Sequence, residues 1–203
     1  ERTRMEQKQI AASVKAERWN PEKQIFEETD SILAALGFAD WRTLPRVISI
    51  VGAGGKTSTM YDLAEELAAK GARTSTHIAK PEQYRTEGIP KLADLDAASY
   101  AGALRNPRGF ILAAGKQAEG PDHAWKLAMP EDLGEERVMK RLLLQFDVIL
   151  IEADGAKRLP LKVPSETEPV LIPQTGLIIA CVGLTAGGRQ FGDSCFRFAS
   201  HGG

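Results

Sequence analysis

A chain of 203 residues is long enough to bury the core of one substantial domain, and 43% hydrophobic with 26% charged residues is typical of a globular protein. A net charge of −1 at pH 7 provides no overall basic field for nucleic acid, no apolar run reaches the roughly 18 residues of a membrane span, and no secretory signal pattern opens the sequence. Two cysteines, Cys181 and Cys195, are too few for a disulfide framework or a zinc site, so we expect a cytoplasmic protein without a nucleic-acid or membrane partner.

Residues 1–44 predict an N-terminal helical extension that precedes a main domain at 45–203. Asn20 and Pro21 match the N-cap and first position of a helix, and Glu22 is an early acidic residue. Gly37 matches the glycine that often ends a helix. The apolar stripe between them consists of Ile25, Phe26, Ile32, Leu33 and Leu36.

Apolar runs and helical stripes alternate through the main domain. Strands are predicted at 47–51, 110–114, 148–153 and 177–182, and helices at 60–70, 91–105 and 135–146. Fully apolar strands that alternate with helices are typical of a parallel sheet covered on both faces. We therefore predict an α/β domain, a three-layer sandwich with a mainly parallel sheet.

One strand of this sheet is not visible as an apolar run. A strand is expected soon after the helix that ends at Gly71, yet only Ala72 and Arg73 separate that glycine from the polar run TSTH. We therefore expect a stunted strand here, or a chain that lacks a few residues at this point.

A glycine cluster joins the first strand of the main domain to a helix in the run VISIVGAGGKTSTM, 47–60. Glycines allow backbone N–H groups to converge on an anion, and the following helix directs the positive end of its dipole at the same place. A solvent-facing Lys56 would reach the β- and γ-phosphates of a nucleotide, and Thr57 would offer its hydroxyl to Mg²⁺. The predicted cofactor-binding residues are Gly52, Ala53, Gly54, Gly55, Lys56, Thr57 and Ser58.

Two other interpretations of this loop stay open, because G-x-x-G-K-[ST] is shorter than the usual G-x-x-x-x-G-K-[ST]. A bare strand-to-helix turn needs a glycine or two, but not three glycines with a lysine and hydroxyls. A dinucleotide fingerprint needs a small residue where Thr57 stands and an acidic residue after the next strand, and neither is present. The pattern favours a phosphate-binding loop.

Two acidic residues, Glu152 and Asp154, follow the apolar strand at 148–153. Residues at i and i+2 of a strand point the same way, and the carboxyl ends of parallel strands line one crevice, so both acids are expected near Lys56. There they would hold Mg²⁺ together with Thr57 or orient an attacking water. We predict Lys56, Glu152 and Asp154 as catalytic residues, and Thr57, Glu152 and Asp154 as metal ligands.

Basic residues follow the two acids at once. Lys157, Arg158 and Lys162 could clamp phosphate or an anionic substrate, although each alone also matches a solvated surface charge. The block 157–169 is too rich in proline for a central strand or helix, so we predict an ordered loop across the strand ends. Lys162 and Glu168 are expected to contact a second substrate or client there, the alternative being a stiff connector with two solvated charges.

The runs VISIVGAGGKTS and EADGAKRLPLKVPSETEPVLIP, with the later VGL segment, resemble the selenium-dependent hydroxylase accessory family of the YqeC type. The resemblance extends discontinuously over about 33–196 and implies a P-loop NTPase-like fold and a role in maturation of selenium-containing molybdenum hydroxylases. It matches TSTHI to a Thr-rich segment that in the family follows an apolar strand, and members usually continue past VGL, so we expect an incomplete C-terminus. The matched positions are Gly52, Gly54, Gly55, Lys56, Thr57, Glu152, Asp154, Gly155, Lys162, Pro164, Glu168 and Pro169.

Together these features predict Mg²⁺-dependent binding and slow hydrolysis of ATP or GTP, and the lack of an N-K-x-D guanine-reading run favours ATP. The expected partners are the nucleotide and a selenium or molybdenum cofactor species or a hydroxylase client. One alternative is an ATP-dependent ligase or kinase acting on a small anionic substrate, since the short loop also occurs in Mur-ligase-like enzymes. Another is a nucleotide-gated binding module without turnover.

Overall fold

The structure is a computed structural model that describes residues 16–77 and 133–198, together with the backbone of short strands at 91–92, 110–113, 117–119 and 125–127. The chain divides into two compact units, residues 1–44 and 45–203. None of the helices in this described part of the chain is long and apolar enough to cross a membrane.

The first unit contains a β-hairpin where a helix was expected. Strands β1 (Ala16–Asn20) and β2 (Ile25–Thr29) pair antiparallel, and Trp19 faces Phe26 across the hairpin with ring centroids 5.0 Å apart. The Asn20 side chain accepts hydrogen bonds from the backbone N–H groups of Glu22 and Lys23. The helix predicted to start at Asn20 is therefore wrong, because the same side-chain bonds that cap a helix also close a turn.

A short helix follows the hairpin and ends where the sequence predicts. Helix α1 (Ile32–Ala35) is capped by Ser31, whose hydroxyl accepts from the Ala34 N–H at 2.9 Å. Gly37 has a φ of 90° and donates its N–H to the Ala34 carbonyl, as a helix-ending glycine does. A 3-10 turn at Trp41–Thr43 completes the unit.

The second unit is built on a six-stranded sheet. In chain order its elements are β3 (Val47–Gly52), α2 (Lys56–Ala69), β4 (Thr74–His77), β5 (Lys91–Leu92), β6 (Phe110–Ala113), β7 (Gln117–Glu119), β8 (Trp125–Leu127), α3 (Glu136–Gln145), β9 (Val148–Glu152), β10 (Leu161–Lys162), β11 (Leu177–Cys181), a 3-10 turn (Leu184–Ala186), α4 (Phe191–Ser194) and β12 (Cys195–Phe196). The sheet order is β11-β3-β9-β4-β6-β5, and every neighbouring pair is parallel. The predicted α/β class with a mainly parallel sheet is confirmed.

Two small pairs lie outside this sheet: β7 with β8, antiparallel, and β10 with β12, parallel. Of the helix predicted at 91–105, the first two residues form β5 instead, and 93–105 lie outside the described residues. The block 157–169, described throughout, contains no central element, and its two-residue β10 pairs only with β12, so the predicted ordered loop is confirmed.

Helices cover both faces of the sheet. Helix α3 packs Met139 and Leu142 against the face that carries Ile149 and Ile151 of β9. Alternate strand residues point to the opposite face, where α2 contacts β3, β4 and β9. The helix predicted at 60–70 is confirmed, and the buried side of α2 consists of Lys56, Met60, Tyr61, Leu63, Ala64 and Leu67.

The strand that seemed to be missing is the polar run itself. Thr74–His77 forms β4 in the interior of the sheet, between β9 and β6, and all of its residues are buried. The Ser75 hydroxyl and Nε2 of His77 lie 3.3 Å apart. The described part of this strand has four residues against six in β3, which agrees with a stunted strand, and the alternative of lost residues stays a prediction. β-branched threonines suit a strand even where the run is not apolar.

Candidate functional site

The glycines after β3 shape a loop that is pressed against the end of β11. Gly52, Gly54 and Gly55 have φ values of 91°, 67° and 101°, which disfavour any residue with a side chain. A Cβ on Gly52 would lie 2.4 Å from the Cys181 carbonyl oxygen, and one on Gly54 would lie 2.4 Å from Cα of Gly183. A Cβ on Gly55 would meet nothing within 4 Å, so the loop is closed on one side and open at Gly55.

Helix α2 begins directly after this open position. Gly55 is its N-cap residue, and no side chain caps the first turn. Gly55 and Ser58 are exposed, whereas Lys56 is buried. The backbone N–H groups of a first turn carry the positive end of the helix dipole, so an anion is favoured at this place.

Lys56 lies inside the loop. The expectation from the sequence that it faces solvent is therefore wrong. Its side chain is 5% exposed, and Nζ donates to the Gly52 carbonyl at 2.7 Å. The same nitrogen lies 3.3 Å from Oδ1 of Asp154 and 3.9 Å from Oε1 of Glu152. The predicted approach of the two acids to Lys56 is confirmed, and it results from the parallel pairing of β3 with β9.

Thr57 and Glu152 form the second contact between α2 and β9. The Thr57 hydroxyl donates to Oε2 of Glu152 at 2.8 Å. Burial raises the pKa of Glu152 above its ordinary value, while the hydrogen bond from Thr57 and the charge of Lys56 oppose that rise and the charge of Asp154 adds to it. The pair therefore offers a hydroxyl and a buried carboxylate side by side.

Asp154 lies between two lysines. Its Oδ1 faces Lys56, while Oδ2 accepts from the Gly52 N–H at 3.1 Å and lies 3.0 Å from Nζ of Lys162. With the Asp154 side chain only 2% exposed, both of its oxygens are directed at cations or at the loop backbone. Asp154 therefore holds the glycine loop in place through its contacts with Gly52 and Lys56.

Lys162 is buried in the same network. Nζ donates to the Gly155 carbonyl at 2.7 Å and to Oε2 of Glu168 at 3.0 Å, in addition to its contact with Asp154. The side chain is 1% exposed, so its three N–H groups are already committed to the protein. Glu168 also lies 2.9 Å from Arg197, and although burial alone would raise the pKa of Glu168, Lys162 and Arg197 lower it below its ordinary value.

The remaining two predicted basic residues are placed differently. Lys157 and Arg158 are exposed at a turn that follows Asp154 and have φ values of 47° and 63°. Nζ of Lys157 lies 5.1 Å from the centre of the Phe196 ring. The structure thus brings Lys56, Thr57, Glu152 and Asp154 together, with Lys162 behind them and Lys157 and Arg158 at the surface.

Three residues that hold the loop were missed by sequence reasoning. The Cys181 carbonyl accepts from the Ala53 N–H at 2.9 Å, and the Pro160 carbonyl accepts from the Gly183 N–H at 2.8 Å. A Cβ on Gly183 would lie 2.8 Å from the Pro160 side chain, so a glycine is required there. Glycine in the VGL segment is the sequence signal for such a close approach, but a single sequence does not identify its partner.

Among the described residues, no group of three or more His, Cys, Asp or Glu side chains could hold a metal ion. Thr57 and Glu152 offer two oxygen ligands to a divalent ion at this place. Such a sparse set suits Mg²⁺, which usually keeps several waters and is bound through one or two carboxylates and phosphate oxygens.

Comparison with known proteins gives the family of the chain. The family model described as YqeC protein matches residues 48–199. Over 147 residues, 68% of this chain, the sequence is 38% identical to a protein of Escherichia coli (strain K12) described as uncharacterized protein YqeC. The match covers 52% of that protein, so the chain spans about half the length of this relative, and no solved structure matches the chain significantly. The chain belongs to the YqeC protein family.

Proposed function

We propose that the protein binds a nucleoside triphosphate, with ATP favoured over GTP, together with Mg²⁺ and hydrolyses it slowly. The observation that carries this proposal is Lys56, which lies at the end of a positive-φ glycine loop and at the first residue of α2, within 3.9 Å of two carboxylates. A P-loop NTPase-like site requires a lysine, a helix N-terminus and an acid at the end of an adjacent strand. The notable difference is the shorter loop.

The loop fits a phosphate group on steric and electrostatic grounds. The first turn of α2 has no side-chain cap, and the space beside Gly55 is open within 4 Å of a built Cβ. In that space an anion would meet the N–H groups of the first turn, with Lys56 as the positive charge that pairs with phosphate oxygens.

Thr57 and Glu152 fit a magnesium ion. Their oxygens are 2.8 Å apart, and both are ligand types that Mg²⁺ prefers. When bound, the ion would supply charge neutralisation for the phosphate oxygens. Glu152, with its raised pKa, would also act as the base toward an attacking water.

We further propose that nucleotide binding serves the maturation of a selenium-dependent molybdenum hydroxylase, with the hydroxylase or a selenium or molybdenum cofactor species as client. This role is what the resemblance of the runs at 47–58 and 152–173 to the accessory family implies, and the loop motif supports only its nucleotide-binding part. The predicted cytoplasmic location suits such a client and stays a prediction.

A nucleotide-gated binding module is the second candidate, and one observation favours it. Lys56 is part of a chain of charges that runs through the buried Asp154 and Lys162 to the half-buried Glu168 and Arg197. A phosphate that draws Lys56 away from Asp154 would therefore change the charge balance of residues well outside the loop. Phosphate release distinguishes the hydrolase from the gated module, and its stimulation by a carboxylate would indicate the ligase or kinase alternative.

The test is a thermal-shift series with ATP, GTP and ADP, with and without Mg²⁺, on the wild type and on Lys56→Ala. We expect Mg²⁺-ATP to raise the melting temperature of the wild type and to leave that of Lys56→Ala unchanged, with at least tenfold weaker binding, or about 1.4 kcal/mol. Because Lys56 is buried, the variant should itself lose roughly 1–3 kcal/mol of stability, so each shift is measured against its own nucleotide-free protein.

Two further variants make this test decisive. Thr57→Val keeps the buried lysine and should remove the dependence of binding on Mg²⁺ without unfolding the protein. Lys70→Ala, at the far end of α2, is the control and should bind as the wild type does. Normal Mg²⁺-ATP binding by Lys56→Ala and Thr57→Val would show that the loop does not hold a nucleotide.

The maturation role is tested in cells of the native host that lack the gene. Selenium-dependent hydroxylase activity should return with the wild-type gene and not with Lys56→Ala, at equal protein levels. Full restoration by Lys56→Ala would separate the cellular role from the nucleotide site.

A further inference from the structure

A two-residue turn beside the glycine loop has an unusual backbone. The Leu159 N–H donates to the Ala156 carbonyl at 2.9 Å, and both central residues, Lys157 and Arg158, have positive φ. Turns with two left-handed central residues strongly favour Asn-Gly, because a Cβ in this conformation crowds the following carbonyl oxygen. A Lys-Arg pair at these positions is therefore strained.

The surrounding structure holds this turn in place from both ends. Nζ of Lys162 binds the Gly155 carbonyl immediately before the turn at 2.7 Å. The Gly183 N–H binds the Pro160 carbonyl immediately after it at 2.8 Å. Strained residues held by their neighbours occur preferentially at functional sites, where the strain fixes the direction of a side chain.

The turn lies next to the glycine loop. The Pro160 carbonyl oxygen would be 3.1 Å from a Cβ on Gly54, so the end of the turn abuts the loop. Arg158 precedes Pro160 by two residues, which is at most about 7 Å of extended chain. The turn that carries Arg158 therefore ends against the loop at Gly54, the residue before the open position Gly55.

The two cations of the turn differ in their surroundings. Lys157 lies over the Phe196 ring at 5.1 Å. Arg158 is exposed, and within the described ranges 16–77 and 133–198 no hydrogen bond or ion pair joins its guanidinium to another residue. A guanidinium presents several N–H groups in one plane and binds two phosphate oxygens at once, which an ammonium does not.

We propose that the turn Ala156–Leu159 supplies Arg158 to the terminal phosphate of the bound nucleoside triphosphate, so that the site distinguishes ATP from ADP. This inference rests on the proposed function. The turn follows Glu152 and Asp154 at the end of β9, the side of the loop where Lys56 and Thr57 meet the acids. A cation supplied from the same chain at that side neutralises charge on the γ-phosphate.

The test compares Arg158→Gly with the wild type, using Mg²⁺-ATP and Mg²⁺-ADP as probes in calorimetric titrations. Glycine accepts positive φ, so the nucleotide-free variant should melt roughly 2–4 °C higher than the wild type. We expect its affinity for Mg²⁺-ATP to fall at least tenfold, while its affinity for Mg²⁺-ADP changes less than twofold. A gain in stability joined to a selective loss for ATP is not expected of a purely structural turn.

Two further variants complete the design. Arg158→Lys keeps the charge but not the planar group, and should lie between wild type and Arg158→Gly for ATP. Lys70→Gln removes one positive charge at the other end of α2 and should bind both nucleotides normally. Equal affinity of wild type and Arg158→Gly for ATP, or equal losses for ATP and ADP, would overturn the inference while leaving the nucleotide site intact. A wild type that binds neither nucleotide would instead overturn the proposed function.

Discussion

Asp154 faces Lys56 with one oxygen and Lys162 with the other, and its Oδ2 also accepts the Gly52 N–H. Charges that are taken out of water in this way depend on each other, because each is stable only while its partners are present. At the scale of single residues, Lys162 therefore helps to hold the glycine loop although it lies outside it, because it binds the Asp154 carboxylate that accepts the Gly52 N–H.

Lys162→Met tests this dependence. Removing Lys162 leaves the buried Asp154 with Lys56 and the half-buried Glu168 with Arg197 as remaining partners. We therefore expect the free energy of unfolding to fall by about 3 kcal/mol, the low end of the cost of breaking a buried ion pair. Chemical denaturation measures the loss. Lys140→Met is the matched control, because the Lys140 side chain is 72% exposed and its surface pair with Glu136 is worth well under about 1 kcal/mol. Equal effects of the two substitutions would mean that Lys162 contributes no more than a surface charge.

Glu152→Gln should change the pH dependence of stability. Burial raises the folded-state pKa of Glu152 above its unfolded value, so its contribution is fully present below the unfolded pKa and is lost as pH rises through the folded pKa. Glutamine stays neutral and still accepts the Thr57 hydroxyl. The stability of the variant relative to wild type should therefore increase from pH 4 to pH 7, as followed by denaturant titration at each pH.

The same variant should lose function at the site. If Glu152 helps to hold Mg²⁺, nucleotide affinity in the presence of the ion should fall tenfold or more, although the nucleotide-free protein is more stable at pH 7. Glu136→Gln, at a side chain that is 78% exposed, should alter neither property. Parallel stability profiles for wild type and Glu152→Gln would contradict the raised pKa.

At the scale of elements, β4 has an unusually polar composition for a strand in the interior of a sheet. It lies between two neighbours in the sheet, yet every side chain is polar and buried. Among the described residues, Nδ1 of His77 and the hydroxyl of Thr74 have no hydrogen-bond partner. Burial lowers the pKa of His77 to about 4, so the imidazole is neutral in the folded protein at neutral pH.

His77 should therefore make the protein sensitive to acid. A histidine whose folded pKa lies below its unfolded value of about 6.5 contributes stability above pH 6.5 that is lost as pH falls through about 4. Replacement by a side chain that never ionises should reduce this acid-induced loss by about 3 kcal/mol. We expect His77→Gln to show the shallower profile between pH 6.5 and pH 4, measured by denaturant titration.

Ser75→Ala is the control for His77→Gln. It removes the hydroxyl 3.3 Å from Nε2 of His77 but leaves the imidazole buried, so its profile should keep the slope of the wild type. A wild-type slope in His77→Gln would mean that other groups cause the loss in acid.

At the scale of the whole molecule, the apolar and helical patterns of single segments predicted the fold. Contacts between distant segments were predicted only where strand ends meet at the same edge of the parallel sheet. The apolar runs of β3, β9 and β11 identified the sheet, and strand ends that meet at one edge placed Glu152 near Lys56. The hairpin at Asn20 was missed because a turn and a helix N-terminus use the same side-chain hydrogen bonds. The contact of Lys162 with Asp154 was missed because no periodicity links a loop lysine to its partner.

The insertion of β9 between β3 and β4 has a consequence for how the chain folds. The helix α2 connects β3 to β4, but the two strands cannot pair with each other, and the strand that joins them is made much later in synthesis. Until β9 arrives, β3 and β4 both present unpaired edges, which is the condition under which nascent chains associate wrongly. A β4 composed of Thr, Ser, Thr and His exposes little apolar surface during that interval. The polar composition that made this strand hard to recognise in the sequence thus suits a strand whose edge stays unpaired until β9 has been synthesised.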